Sequence, residues 1–228
     1  MVKAIVLFGS PGSGKGTQAK LLTNCLRIPH ISTGDMLRER IRAGVAAGDV
    51  VASMHAGSLV SDEVVNRLVE QRLAQADSRD GFILDGYPRT RAQAEHLTGW
   101  LDASGIHEVV IHLVVDYNII VARLTGRRQC PRCGTLYNIV SKPPRVAGIC
   151  DLDGETLTIR KDDQEAVIRE RLDAYERQTR PLLEYFREMG RSLFEIDAST
   201  AAPEELSAAI CGALETAGNH GARAVKEG

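Results

Sequence analysis

Nine residues near the N-terminus carry the clearest chemical signal in the chain. Gly9-Ser10-Pro11-Gly12-Ser13-Gly14-Lys15-Gly16-Thr17 combines four glycines with a lysine. Backbone without Cβ atoms can curl until successive amide hydrogens face inward, which makes a cradle for phosphate oxygens. Lys15 adds a point charge for the terminal phosphates, and a helix starting here turns its positive end toward them. Gly12, Ser13, Gly14, Lys15, Gly16 and Thr17 are therefore expected to hold a nucleoside triphosphate. The general motif has Ser or Thr straight after the lysine, whereas Gly16 stands there and Thr17 comes next. A magnesium ion is accordingly expected to be held mostly through water, not by a hydroxyl. A merely tight strand-helix turn would need neither the glycines in this register nor the lysine.

A second cluster has metal-ligand spacing. Cys130-Pro131-Arg132-Cys133 is followed, after sixteen residues, by Cys150-Asp151-Leu152-Asp153. Two ligand-x2-ligand knuckles suit tetrahedral zinc, with Asp153 supplying an oxygen as fourth ligand. Asp151 is the poorer candidate, because adjacent residues seldom converge on one ion. Four protein ligands leave no water position, so such an ion would be structural. A Cys130–Cys133 disulfide, or free thiols, is the alternative; the odd total of five cysteines argues against a simple disulfide framework.

The elements that must position these groups alternate along the chain. Ala4 to Phe8 is a continuous apolar run, as expected of a parallel strand buried on both faces. Further strands are predicted at 30–32, 82–84, 109–115 and 193–196. Helical spacing marks 17–26, 61–76, 91–103 and 204–214. The pattern predicts a three-layer α/β fold around a parallel five-stranded sheet with right-handed crossovers. Asp85 then ends an apolar strand at the carboxyl edge, where ligands bind in such sheets and where it can hold hydrated magnesium. Ser32 or Thr33 can cap a helix whose N-terminus favours an anion, with Arg38 one turn in. From Gly126 to about Asp162 the rhythm breaks into a Gly-, Pro- and Cys-rich insertion too short for its own core, where a metal can substitute. A long helix is expected from Asp163, kinked or broken at Pro181. The last residues, 217–228, lack periodicity and are expected to fray. His112 reads as a packed core residue, and the other histidines as surface.

The form GxPGxGKGT resembles adenylate kinases and their near relatives, and further segments extend the likeness over most of the chain. Ser32-Thr33-Gly34-Asp35-Met36-Leu37-Arg38 is similar to the family's grip on the nucleoside monophosphate. Gly57-Ser58-Leu59-Val60-Ser61-Asp62 resembles the segment that closes over it, with Ser61 where many relatives have proline. In Gly86-Tyr87-Pro88-Arg89-Thr90 the resemblance makes Arg89 a phosphate ligand and Gln93 the reader of adenine, its amide offering donor and acceptor. Tyr87 replaces the commoner phenylalanine. The arginines at the insertion's hinges are similar to those of the family's lid. The resemblance thereby makes Arg123, Arg127, Arg160 and Arg171 clamps on the transferring phosphoryl group, and leaves Arg128 open. Leu136, Tyr137 and Thr200 match positions that touch ATP, and the knuckles match zinc-bearing lids of some bacterial members.

The implied activity is ATP + AMP = 2 ADP, with magnesium, with zinc in the lid, and with a monomer as the working form. No general base is expected, because AMP's phosphate oxygen is ionised near neutral pH and electrostatics must do the rest. The expected division is core 1–31, 62–125 and 164–216, an AMP-binding segment 32–61, a lid 126–163 and a tail 217–228. Of 228 residues, 43% are hydrophobic and 25% charged, with net charge −2, an ordinary globular balance. Nothing in that charge favours nucleic acid or a membrane surface. Met1-Val2-Lys3 runs straight into a strand without a signal-peptide pattern, so a cytoplasmic setting is expected. Two alternatives remain: a kinase for another monophosphate such as UMP or CMP, and a zinc-ribbon nucleic-acid binder. Aromatic content of 4% disfavours the second.

Overall fold

The computed structural model describes residues 4–224. β1 (Ala4–Phe8) is buried at every position. Ala4, Val6 and Phe8 enter one core, Ile5 and Leu7 the other, as two-residue periodicity between two helical layers requires. The chain continues through α1 (Lys15–Leu26), β2 (His30–Ser32), α2 (Thr33–Arg42), α3 (Gly48–Ala56), α4 (Asp62–Leu73), β3 (Phe82–Asp85) and α5 (Arg91–Ala103). Next come β4 (Glu108–Val114), α6 (Tyr117–Thr125), β5 (Arg127–Gln129) and β6 (Leu136–Asn138). The last elements are α7 (Glu165–Ala174), α8 (Leu182–Glu188), β7 (Ser192–Asp197) and α9 (Pro203–Ala224).

Among the described residues, the main sheet has five strands in the order β2-β3-β1-β4-β7, all parallel. Strand order reverses direction around β1, and such a switch point opens a crevice at the carboxyl edge. The loops after β1 and β3 both end there. α1 and α9 cover one face through Ala19, Leu22, Leu206, Ile210 and Leu214. α4, α5 and α8 cover the other through Val65, Leu68, Leu97, Leu101 and Phe186. The irregular stretch after α6 forms the small antiparallel β5–β6 ladder, with only Cys130, Tyr137, Cys150 and Leu157 as its own buried cluster.

Two expectations need correction. Residues 217–224 belong to α9, and Ala217 continues the apolar stripe of Ile210 and Leu214 onto the second core; residues 225–228 lie outside the described residues. The helix expected to break at Pro181 departs from α-geometry earlier, in a π turn over Tyr175–Thr179. Proline has no N–H for a carbonyl four residues back and its ring collides with that carbonyl, so the preceding turn widens. Arg180 N instead donates to Tyr175 O at 2.9 Å.

At the opposite end of β4 from the crevice, the Glu108 carboxylate is fully buried. Both its oxygens lack a hydrogen bond, and the Arg191 Nε is 3.4 Å away. Burial outweighs that charge and pushes the carboxyl above its ordinary value. The folded protein thus holds the proton more tightly than the unfolded chain, so the cost is absent in acid and grows as pH rises past the ordinary carboxylate range. Glu108→Gln is expected to raise the melting temperature near neutral pH, with a gain that shrinks toward acid; thermal melts over pH check this.

Candidate active site

The loop after β1 wraps around the start of α1. Gly9 has φ 143°, and a Cβ there would lie 2.6 Å from Ser13 Oγ and 2.8 Å from Leu113 O. Gly12 has φ 84°, and its Cβ would meet Leu124 at 2.9 Å. Only glycine satisfies both the left-handed backbone and this close approach. Lys15 Nζ donates to Gly9 O at 2.7 Å and Ser10 O at 2.9 Å, which centres the ammonium in the loop. Burial pushes its pKa down to about 8; Asp85 pulls it up, while Arg89, Arg171 and Arg127 push it down again.

A cleft of about 1280 Å³ opens from this loop. Gly12, Ser13, Gly14, Gly16 and Thr17 form its floor, and Leu136, Tyr137, Arg123 and Thr200 line it farther along. Asp85 sits beside Gly16 at the end of β3. Burial disfavours its charge, yet the hydrogen bond from His30 and the Lys15 ammonium hold the carboxyl below its usual range. The His30 Nε2–Asp85 Oδ2 distance is 3.2 Å. His30 was expected at the surface; the side-by-side pairing of β2 and β3 instead brings it to the site. An ionised Asp85 at this place suits a hydrated divalent cation on a triphosphate.

A smaller cavity adjoins the cleft, lined by Thr33, Arg38, Ser58, Leu59, Val60, Gly86, Arg89, Gln93 and Arg171. Ser32, not Thr33, caps α2, accepting from Asp35 N at 3.3 Å. Thr33 Oγ1 donates to Gly86 O at 2.8 Å, and Arg89 Nε donates to the same oxygen at 2.8 Å. Gln93 accepts from Arg89 N at 2.8 Å and donates to Asp62 Oδ1 at 2.7 Å. One amide hydrogen and one lone pair remain for a base. Pro88 lines the main cleft. Tyr87 lines neither cavity: its ring belongs to the core and its hydroxyl donates to Asn66 Oδ1 at 2.8 Å.

Arg127 and Arg171 converge because two acids hold them. Asp162 and Asp163, both buried, form a short turn after Arg160. Arg171 Nη1 contacts Asp162 Oδ2 at 3.0 Å and Asp163 Oδ1 at 3.2 Å, and Arg127 Nε donates to Asp163 Oδ2 at 2.6 Å. Arg38 reaches Asp35 at 2.7 Å and Asp162 at 3.9 Å. Arg160 Nε donates to Gln129 Oε1 at 2.7 Å. Burial, with Arg38 and Arg127 nearby, lowers Arg160 to about 10; burial and Arg171 do the same to Arg89. Arg123 ties down Ala198 O at 2.8 Å and Ser199 O at 3.1 Å, the turn that carries Thr200. Arg128 bonds the backbone of Thr125 and Arg127. The acids Asp62, Asp162 and Asp163 and the residues His30 and Gln129 were not singled out from the sequence. Only Asp162-Asp163, adjacent to a hinge arginine, carried a local signal.

The two knuckles share one backbone form. Cys130 O accepts from Gly134 N and Cys150 O from Gly154 N, each at 3.0 Å. Cys133 Sγ lies 3.6 Å from Cys150 Sγ, and Cys130 Sγ 3.3 Å from Asp153 Oδ2. A tetrahedral ion with bonds of about 2.0–2.3 Å needs ligand separations of about 3.3–3.8 Å, so these four groups fit one metal. Their ligand atoms all lie within 4.8 Å of one another. Tyr137 OH accepts from Asp151 N at 2.8 Å and touches Cys150 Sγ at 3.5 Å, packing the knuckle from inside.

A family model described as adenylate kinase matches residues 7–191. The adenylate kinase of Moorella thermoacetica is 49% identical over 87% of this chain and 92% of its own. That of Pseudothermotoga lettingae is 50% identical over 80% and 85%, and that of Anaeromyxobacter dehalogenans strain 2CP-1 47% identical over 82% and 88%. The chain belongs to the adenylate kinase family. It is a phosphotransferase. No helix among the described residues is long and apolar enough to cross a membrane.

A Lys15 pKa of about 8 has a measurable consequence. Phosphates placed beside Lys15 would favour the ammonium, so above about pH 8 ATP binding in this loop is expected to draw a proton onto it. Calorimetry in buffers of different ionisation enthalpy is expected to show proton uptake that appears as pH rises through 8 and is lost in Lys15→Met.

Proposed function

We propose that this chain transfers the γ-phosphoryl group of ATP to AMP, giving two ADP, with ATP on the Gly9–Thr17 loop and AMP in the adjoining cavity. The observation that carries this reading is the junction of the two cavities: Arg38, Arg89 and Arg171 line both, and Lys15, Arg127 and Arg160 line the larger one. In this reading loop amides and Thr17 seat the β- and γ-phosphates, and Lys15 tracks the migrating group. Arg38 and Arg89 hold the AMP phosphate with its oxygen in line, and Arg123, Arg127, Arg160 and Arg171 stabilise the spread charge. The remaining donor and acceptor of Gln93 read adenine, and Val60, Leu59 and Ser58 cover it. Magnesium, which adenylate kinases use with ATP, offsets phosphate charge and orients the oxygens, and Asp85 would hold it through its water shell. No protein base is needed, because the attacking oxygen is already ionised.

The insertion 126–163 acts in this proposal as a lid that excludes water, and 32–61 as the AMP-binding unit on the core. A monomer is proposed as the working form; a cytoplasmic setting, where both nucleotides occur, suits the activity. The knuckle ion is proposed to be zinc, since three sulfurs and one oxygen in a closed set suit it.

A coupled assay of ADP formed from ATP and AMP tests the reading. Lys15→Ala is expected to lose about 100-fold or more in kcat with the fold intact; near-normal turnover would overturn the loop's role. Gln93→Ala is expected to raise KM for AMP and relax preference among monophosphates, with KM for ATP little changed. Metal removal, or Cys150→Ser, is expected to lower the melting temperature while much of the turnover at moderate temperature survives. Elemental analysis should find about one zinc per chain.

A further inference from the structure

The π turn does more than accommodate Pro181. Both of its ends, Tyr175 and Thr179, are buried and line the cleft. In an ordinary helix a threonine hydroxyl bonds the carbonyl three or four residues back. Thr98, Thr125 and Thr216 do this, to Ala94, Val121 and Gly212. Thr179 instead sends its hydroxyl across the molecule to Arg89 O, at 2.9 Å. Tyr175 OH meets His112 Nε2 at 3.1 Å, which fixes the other end of the turn on β4. A π turn holds one residue more than an α turn, so it rotates the residues beyond it by roughly 100° relative to a straight helix. That rotation aims Thr179 at the loop after β3 and not along its own helix.

The bond completes a clamp on the Arg89 main chain. Arg89 N–H goes to Gln93 Oε1 at 2.8 Å, its carbonyl receives Thr179, and its Nε goes to Gly86 O at 2.8 Å. With these three fixed, the terminal guanidinium nitrogens are what Arg89 presents to the cleft. We propose that Thr179, delivered by the π turn, is a positioning residue that aims Arg89 at the transferred or accepting phosphate. It acts through Arg89 and touches no nucleotide. The proposal rests on the phosphate-binding role proposed for Arg89. It also joins two parts of the site, since Arg171 lies on the helix that enters the same turn.

The test uses the full metal-loaded chain with Thr179→Val, Thr179→Ala and Thr179→Ser, steady-state kinetics for each substrate, and AMP binding by calorimetry. Thr179→Val and Thr179→Ala are expected to cut kcat/KM for AMP about tenfold, through both KM and kcat, with KM for ATP moving less than about twofold. Thr179→Ser, which keeps the hydroxyl, is expected to restore most of the loss. In an Arg89→Ala background Thr179→Val is expected to add less than about twofold to the loss of AMP affinity. Equal losses for ATP and AMP together with a lowered melting temperature would mean a merely structural residue and overturn the proposal. So would wild-type AMP kinetics in Thr179→Val, or an undiminished effect without Arg89. Arg89→Ala with normal AMP binding would overturn the role of Arg89 itself. Impaired Arg89→Ala beside a normal Thr179→Val would remove only the present inference. If Thr179→Val does not fold, Thr179→Ala against Thr179→Ser carries the comparison.

Discussion

Six cationic side chains, Lys15, Arg38, Arg89, Arg127, Arg160 and Arg171, face one partly buried space, and like charges so placed repel strongly where water cannot screen them. Burial and neighbouring charges together depress the pKa values of Lys15, Arg89 and Arg160. Four carboxylates keep the cluster together. Asp85 sits beside Lys15, Asp35 pairs with Arg38 and Arg160, and Asp162 and Asp163 bind Arg38, Arg127 and Arg171 between them. The positive field is thus assembled in the folded chain, and an anion placed there would need little rearrangement of charge.

The remainder of the fold serves this electrostatic arrangement. A five-stranded sheet buried on both faces gives a rigid edge from which the phosphate loop and the Asp85–Arg89 segment project side by side. Register between β1 and β3 places Leu7 opposite Asp85, two residues before the loop begins. Asp162 and Asp163, at the end of the insertion, link its Arg127 to Arg171 on α7 through ion pairs rather than apolar packing. Ion pairs at such a place can be exchanged for phosphate contacts without opening the hydrophobic core.

The insertion solves a different problem. Its own buried cluster consists of four side chains, two of them cysteines, and cannot stabilise the segment by hydrophobic burial alone. Two matching knuckles hold three sulfurs and a carboxylate at metal-ligand separations. Metal affinity would replace the missing core while leaving the inner surface of β6 free for the nucleotide. Tyr137 links both roles, lining the cleft while its hydroxyl braces Cys150 and Asp151.

Much of this was legible in local sequence because the chemistry itself is local. The phosphate loop is nine consecutive residues, of whose glycines Gly9, Gly12 and Gly14 adopt positive φ, and the knuckles are two four-residue units with ligand spacing. The buried strands announce themselves by unbroken apolar runs, since a strand covered on both faces has no polar side. The chain's partners across long separations were not legible in this way. His30 meets Asp85 because β2 pairs with β3, Gln93 is already committed to Asp62 and Arg89, and Tyr87 turns into the core toward Asn66. Pro181 signalled a broken helix, yet its widened turn and the bond from Thr179 to Arg89 depend on the elements packed against it. The helix α9 likewise gains stability from Leu206, Ile210, Leu214 and Ala217 laid on the second core, which no window of its own sequence records. Local sequence determined which groups could bind phosphate and metal; the register of the sheet and the packing of the helices decided where each of them points.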